Sequence, residues 1–444
     1  MGGAVLNVIW LGLILLAVVY GAFTGRMQEV SAASFDAAKS AVQLVIGLTG
    51  FMVFMLGLMR VATDGGLLRA VARGIAPLMR RLFPDVPAEH PAMTAMVMNL
   101  ATNVLGLGNA ATPFGLKAMR ELETLNRHPG VASDAMVLFL SINATAITLF
   151  PPTGTMAIRA AAGSTAPEAI WVPTLIATTC STLTAVIVFY LLRGWPRYAA
   201  RPLEPALAPA PAAAAAAAPS DELERPFAAE PAQPAGPARR AFIAAIALGL
   251  LLALALDVMR RLETQPAGDV ATQVLQSWLF PVLIVGLLLV GVAGRVRVYE
   301  SMIEGAKEGL EVVVRILPYL IAILVAVAMF RASGALDLVI GLAAPLTNRI
   351  GLPAEVLPMV FLRPLSGSGA FAVMSEIVTT YGPDSFIGNL ACTIQGSTET
   401  TFYVLTLYYG ASGTRNIRHT LVACLCGDVA GVAGATAACH VFFG

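Results

Sequence analysis

Charge is scarce in this chain. Asp, Glu, Lys and Arg make up 12% of its 444 residues, against 57% hydrophobic residues and a mean hydropathy of +0.77, which excludes an ordinary soluble domain. No basic run or aromatic-interleaved patch offers a surface to nucleic acid, and a net charge of +1 adds no field to attract one. Histidine is limited to His90, His128, His419 and His440, and there is no Gly-x-Ser-x-Gly elbow and no His-Glu-x-x-His pair. No catalytic arrangement follows, so an enzyme is not expected, and no pattern calls for a cofactor. The apolar stretch 4–22 has no basic region ahead of it and no small-residue cleavage site behind it, so it reads as a retained transmembrane helix rather than a signal peptide. Cys180, Cys392, Cys424, Cys426 and Cys439 lie in apolar segments, where free cysteine is a small hydrophobe.

What remains is an all-α polytopic membrane protein. A hydrocarbon core of about 30 Å needs roughly 20 apolar residues per helix. Such runs recur at 5–22, 41–61, 134–158, 170–192, 241–258, 274–292, 312–330, 386–409 and 420–443. Between the second and third lies a polar element whose arms, 92–107 and 109–125, are each roughly 24 to 26 Å long as helices. That is short for a crossing and suits a re-entrant hairpin. The stretch 201–239, with its PALAPAPAAAAAAAPSDELERP, is too Pro-rich for a continuous helix and reads as a disordered tether between a first repeat, 1–200, and a second, 240–444. Arg193, Arg197, Arg201, Arg239 and Arg240 flank it and place it in the cytoplasm.

The halves resemble each other. Val45, Gly66, Leu68 and Pro77 recur as Val313, Gly334, Leu336 and Pro345 at an offset of 268; Met119 and Glu121 recur at 255, and Ile142, Thr148 and Phe150 at 252. Asn143 then faces Gln395, and Thr145 faces Ser397. If the polar hairpin re-enters, an odd number of crossings separates equivalent helices, so the repeats are inverted. The same topology puts Arg69, Arg73, Arg80 and Arg81 on the cytoplasmic side, in keeping with the charge rule.

The most polar segments lie where lipid should forbid them. Glu399, in QGSTETTFY, is a carboxylate within a membrane segment; it costs several kcal/mol unless it pairs, protonates or meets water, and such residues are functional candidates by default. Gln395, Ser397, Thr398 and Thr400 surround it, and Gly396 permits a break. An interhelical polar clasp is the alternative reading. The counterpart SINATAITLFPPTGT offers Asn143, Thr145 and Thr148 beside Pro151-Pro152, whose missing amides free carbonyls or merely kink the helix. GLGNAATPFGLK places Asn109, Thr112 and Pro113 at the tip of the first hairpin, with Gly106, Gly108 and Gly115 allowing close approach; a second arm starting at Ala110 would point a positive helix terminus at a ligand. PLSGSGAF repeats the idea with Ser366 and Ser368, and neither string has a P-loop ending. Asp428 is a second intramembrane acid, a proton carrier or cation ligand, or else a partner of Arg415 or Arg418. Cys424, Cys426, Asp428 and His440 invite a metal site, but residues two apart on a helix point about 200° apart, so no metal is expected.

At TNVLGLGNAATPFGLKAM the first half resembles the bacterial spore maturation protein A, and at PLSGSGA and GSTETTFYVLTLYYG the second resembles spore maturation protein B. The resemblance implies the nucleoside-recognition, or gate-domain, group, related to the core of concentrative nucleoside transporters. It implies two inverted gate-type repeats with re-entrant hairpins and broken helices, in a multi-pass protein of the bacterial inner membrane. Carried over, it points to Asn109, Thr112 and Pro113, to Ser366 and Ser368, and to residues 395–400 as a midmembrane substrate site. The expected function is alternating-access transport of a small polar solute, nucleoside-like or another metabolite, with Glu399 and Asp428 as proton- or ion-coupling acids. A cation or metal permease and a non-transporting scaffold with a sporulation-type role are the alternatives. The expected partners are the solute, a coupling cation or proton and the lipid bilayer; homo-oligomerisation stays open.

Overall fold

The computed structural model describes residues 2–106, 111–149, 153–199, 236–264 and 266–444. Among the described residues there is no strand, only an isolated bridge between Val131 and Asn416. Four of the described helical segments are long and apolar enough to cross a membrane, Met27–Asp64, Pro167–Leu192, Pro237–Leu262 and Thr420–Phe443; shorter apolar stretches run over Trp10–Thr24, Asp134–Ala144, Phe280–Ala293 and Leu320–Ala332. The protein is a multi-pass membrane protein, as its composition requires.

The first half comprises α1 (Gly2–Thr24), α2 (Met27–Asp64), α3 (Leu67–Leu82), α4 (Pro91–Val104), α5 (Thr112–Thr124), α6 (Asp134–Ala144), α7 (Thr153–Ala161) and α8 (Trp171–Leu192). After α9 (Pro237–Leu262) come α10 (Ala267–Ala293), α11 (Val298–Ala332), α12 (Ala335–Thr347), α13 (Leu357–Leu362), α14 (Gly367–Tyr381), α15 (Phe386–Ser397), α16 (Thr401–Ser412) and α17 (Thr420–Phe443). The first residues of α3 and α12 are 268 apart, those of α5 and α14 255 apart, and those of α6 and α15 252 apart, the offsets at which residue identities recur. The local causes recur with them. Gly66 and Gly334, at φ of 95° and 84°, supply the left-handed residue ahead of α3 and α12. Ser133 and Ser385 cap α6 and α15 by accepting from the amides of Met136 and Gly388.

Equivalent helices meet antiparallel. Along α2 and α11 the order reverses: Val53 lies against Gly309, Gly57 against Gly305, and Asp64 accepts a 2.6 Å hydrogen bond from Ser301. A Cβ on Gly305 would stand 2.5 Å from that of Arg60, so only glycine there lets the two helices pack this closely. Likewise Ala177 and Cys180 of α8 touch Gly434 of α17, while Ala185 touches Gly427. Two counterpart pairs that each run antiparallel relate the halves by inversion. Their flanks follow suit, α1 packing on α11 and α10 on α2. Among the described α-helices α9 alone lacks a counterpart, and none of its residues is buried; as one additional passage it turns the second unit over.

Several boundaries differ from expectation. The runs 41–61 and 312–330 are the apolar cores of helices of 38 and 35 residues, because the polar stretch 27–40 has no Pro or Gly to stop α2 and the glycines of α11 face α2 rather than break it. Of the expected tether 201–239, residues 201–235 lie outside the described residues, and α9 begins at Pro237, where a proline loses no helical hydrogen bond. The runs 134–158 and 386–409 are each broken in two. The halves interlock there: α16 contributes Val404, Leu405, Tyr408 and Tyr409 to the core of the first half, and α7 contributes Met156, Ala157 and Ile158 to the core of the second.

Candidate functional site

The two breaks meet. After Ala144 the chain leaves the helix over 145–149, and after Ser397 it is non-helical over 398–400. The Glu399 amide donates to the Ala144 carbonyl at 2.8 Å, joining the breaks; the Leu149 amide reaches the Val104 carbonyl of the first hairpin at 2.9 Å, and the Phe402 amide reaches the Pro364 carbonyl of the second at 3.0 Å. Freed backbone groups are therefore satisfied by protein, the condition for irregular chain at membrane depth.

On the first-hairpin side, Asn99 of α4 donates to the Ala111 carbonyl at 2.8 Å and accepts from Asn143 at 2.9 Å, while Asn103 donates to Asn143 at 3.1 Å. All three are buried. Thr112 and Pro113 open α5, which starts there and not at Ala110; Asn109 lies outside the described residues. A Cβ at Gly115 would stand 2.6 Å from the Tyr408 hydroxyl and 2.9 Å from Asn99, so glycine there admits the tyrosine. Asn143, Asn99 and Thr112 are the polar neighbours of that hydroxyl.

On the second-hairpin side, Ser366 caps α14 through the Gly369 amide at 3.1 Å, its hydroxyl 3.5 Å from that of Ser368, and Gln395 donates to the Gly367 carbonyl at 3.5 Å. Behind them is Arg363, buried, donating through Nη1 to Thr400 at 3.4 Å and facing Glu399 and Asp428. Asp428 is buried and accepts from Thr401 at 2.7 Å, with Thr398 beside it. The cation whose charge reaches it is Arg363, without a direct ion pair between them, and not Arg415 or Arg418; the latter pairs with Asp134. Glu399 is exposed, and its charge acts on both Arg363 and Tyr408.

The candidate residues divide by what their polar atoms already do. The hydroxyls of Thr145, Ser397 and Thr148 turn back to the carbonyls of Ser141, Ile394 and Ala146, at 2.8, 2.8 and 3.4 Å, and so shape the breaks. The freed Thr145 carbonyl accepts from Thr182 of α8. Unspent are three buried atoms without a partner among the described residues: Arg363 Nε, Gln395 Oε1 and Asp428 Oδ1. In a close-packed interior such atoms are rare and mark an unfilled role. Sequence reasoning missed Arg363, Asn99, Asn103 and Tyr408. A cation directly ahead of PLSGSG and two asparagines four apart on an apolar helix were the available signals.

A family model described as nucleoside recognition matches residues 45–195 and 313–415, one stretch in each half. The chain belongs to the Gate family. Each Gate stretch holds one hairpin and one broken helix, so the family core coincides with the duplicated unit. Spore maturation protein B of Bacillus subtilis (strain 168) is 45% identical over 172 residues, covering 38% of this chain and 97% of that protein. Spore maturation protein A of the same organism is 42% identical over 190 residues, covering 42% and 96%. Each accounts for part of the chain, consistent with a fusion of the two. The crystal structure of the Alcanivorax borkumensis YdaH transporter superposes on 99% of this chain and 98% of its own, at 16% identity and a TM-score of 0.41.

Proposed function

We propose that the protein is a secondary transporter of the bacterial inner membrane, binding a small polar solute between the two hairpin tips and the two breaks and exposing it alternately to each side. The observation that carries this reading is Arg363, a buried cation on a hairpin arm within electrostatic reach of Glu399 and Asp428, with one unpartnered polar atom each on Arg363, Gln395 and Asp428. A clasp that only held helices together would pair these atoms with one another. Inverted repeats supply the second part: two like units in opposite orientation need only exchange conformations to reverse the side on which a central site opens.

The charges of the site support coupling. One guanidinium faces two carboxylates, which leaves one negative charge for a proton or monovalent cation to neutralise before the site moves through a low dielectric. Asp428, buried with one oxygen unpartnered, is the better carrier, and exposed Glu399 the better solute contact. Uptake into proteoliposomes of labelled nucleosides, amino acids and small dicarboxylates tests the reading. At least one solute is expected to saturate, and Glu399→Gln is expected to lower its uptake at least about tenfold while leaving the melting temperature nearly unchanged, because an exposed carboxylate adds little to stability. No saturable uptake, or Glu399→Gln acting only on melting, would return the polar segments to a scaffold role.

A further inference from the structure

The inverted repeat places one spot of the scaffold twice, and the two copies differ. At the α3 end, Arg60 of α2 bonds Glu308 of α11 at 2.6 Å and Asp64 at 3.1 Å, while Ser301 bonds Asp64. At the α12 end the counterparts of Arg60, Asp64 and Glu308, shifted by 268, are Ala328, Ala332 and Ser40. Three long charged side chains have become two methyls and a hydroxymethyl, and a cavity of about 380 Å³ stands where they would be. One acid persists: Glu304 has Asp36 as its counterpart, and Asp36 lines the cavity.

We infer that this cavity is a binding site for a small cationic solute, a guanidinium or alkylammonium carried on a short apolar stem. The duplicated site holds the pattern of its occupant, since the space left at Ala328 corresponds to the space the Arg60 side chain fills in the other copy. An apolar wall of Leu44, Leu324 and Ala328 receives the stem. The polar wall carries Glu376, Thr379 and Thr380 of α14 besides Asp36. Arg331 does not repel the guest, because its Nη2 is committed to both oxygens of Glu376, at 2.8 and 3.0 Å, and forms a neutral pair. Asp36, exposed and without an ion-pair or hydrogen-bond partner among the described residues, is the unpaired acid of the lining; Lys39, the counterpart of the Lys307 that pairs with Glu304 in the other copy, is not part of that lining. The site stands apart from the hairpin tips, near the far end of α14, and does not depend on the transport reading.

The probe is n-propylguanidinium, the arginine side chain without its backbone, compared with its neutral isostere n-propylurea by isothermal titration on the full-length protein in detergent. The cation is expected to bind saturably and the urea at least about tenfold more weakly. Asp36→Asn is expected to weaken the cation by about tenfold and leave the urea unchanged. Ala328→Arg, which restores the side chain of the sister site, is expected to abolish binding. Should either variant fold poorly, the cation-to-urea comparison on the unaltered protein decides alone. Equal binding of urea and cation, no saturable binding of the cation, or a folded Asp36→Asn protein of unchanged affinity overturns the inference.

Discussion

Arg363→Met is expected to abolish solute uptake and to destabilise the protein by about 3 to 5 kcal/mol, because removing one partner of a buried charge group leaves the other uncompensated. Asp428 is buried within the electrostatic reach of Arg363, and among the described residues no other cation acts on it. The double variant Arg363→Met with Asp428→Asn separates the two effects. With both buried charges gone, stability should return to within about 1 to 2 kcal/mol of the starting protein, since apolar or neutral replacements of buried ion pairs are commonly tolerated. Uptake should not return, because under the proposed function the site needs the Arg363 guanidinium beside Glu399. Thermal melting and proteoliposome uptake on the same preparations read both quantities. Recovery of uptake in the double variant would show that Arg363 serves only to neutralise Asp428.

The second large effect is expected at the joint between the halves. Arg159, at the end of α7, is buried and donates to the carbonyls of Pro167, Ala166 and Pro383, to Ser164, to Asn389 at 2.6 Å and to Asp384 at 3.1 Å. It thus holds the entrance of α15, which belongs to the other half. Arg418, beyond α16, makes the reciprocal clasp on the entrance of α6 through Asp134 and the Ala132 carbonyl. Arg159→Ala should cost about 3 to 5 kcal/mol, since it orphans buried acceptors on both halves. Acid should loosen the same clasp. Burial raises the Asp384 carboxyl, but hydrogen bonds from Ser164 and Thr165, and then the Arg159 charge, outweigh it and hold it below the ordinary carboxylate range. A folded-state value depressed in this way stabilises the fold at pH above the unfolded value of about 3.9, and that contribution is lost as pH falls through the folded value. Melting temperature should therefore drop as pH is lowered past 4 or so, less steeply in Asp384→Asn than in the unaltered protein. An unchanged acid profile in that variant would remove Asp384 from the clasp.

Much of this arrangement was legible in the residues. The repeat could be read because glycines at turns and serines at caps answer to local backbone requirements that both copies share, as Gly66 and Gly334 or Ser133 and Ser385 do. The breaks were legible because Pro, Gly and clustered hydroxyls do not suit an unbroken helix in lipid. The partners across them were not. Asn99 and Asn143 are 44 residues apart, and Arg363 sits 36 before Glu399; no periodicity links positions that only folding brings together. Acids are the costly residues in a membrane segment, but the arginine whose charge reaches them lies in another segment of the chain. Thr145, Thr148 and Ser397 are candidates by their hydroxyls, yet those hydroxyls turn to their own backbone, an outcome that residue type alone does not distinguish from ligand contact.

In the proposed transport cycle the hairpin tips border a polar site open in turn to either side. Ser368, half-buried at the second tip, reports on it directly. In a protein whose five native cysteines have been replaced, Ser368→Cys in proteoliposomes of known orientation should react with a membrane-impermeant maleimide added from either face, more slowly when transported solute is present. Reaction from one face only, or from neither, would contradict the account.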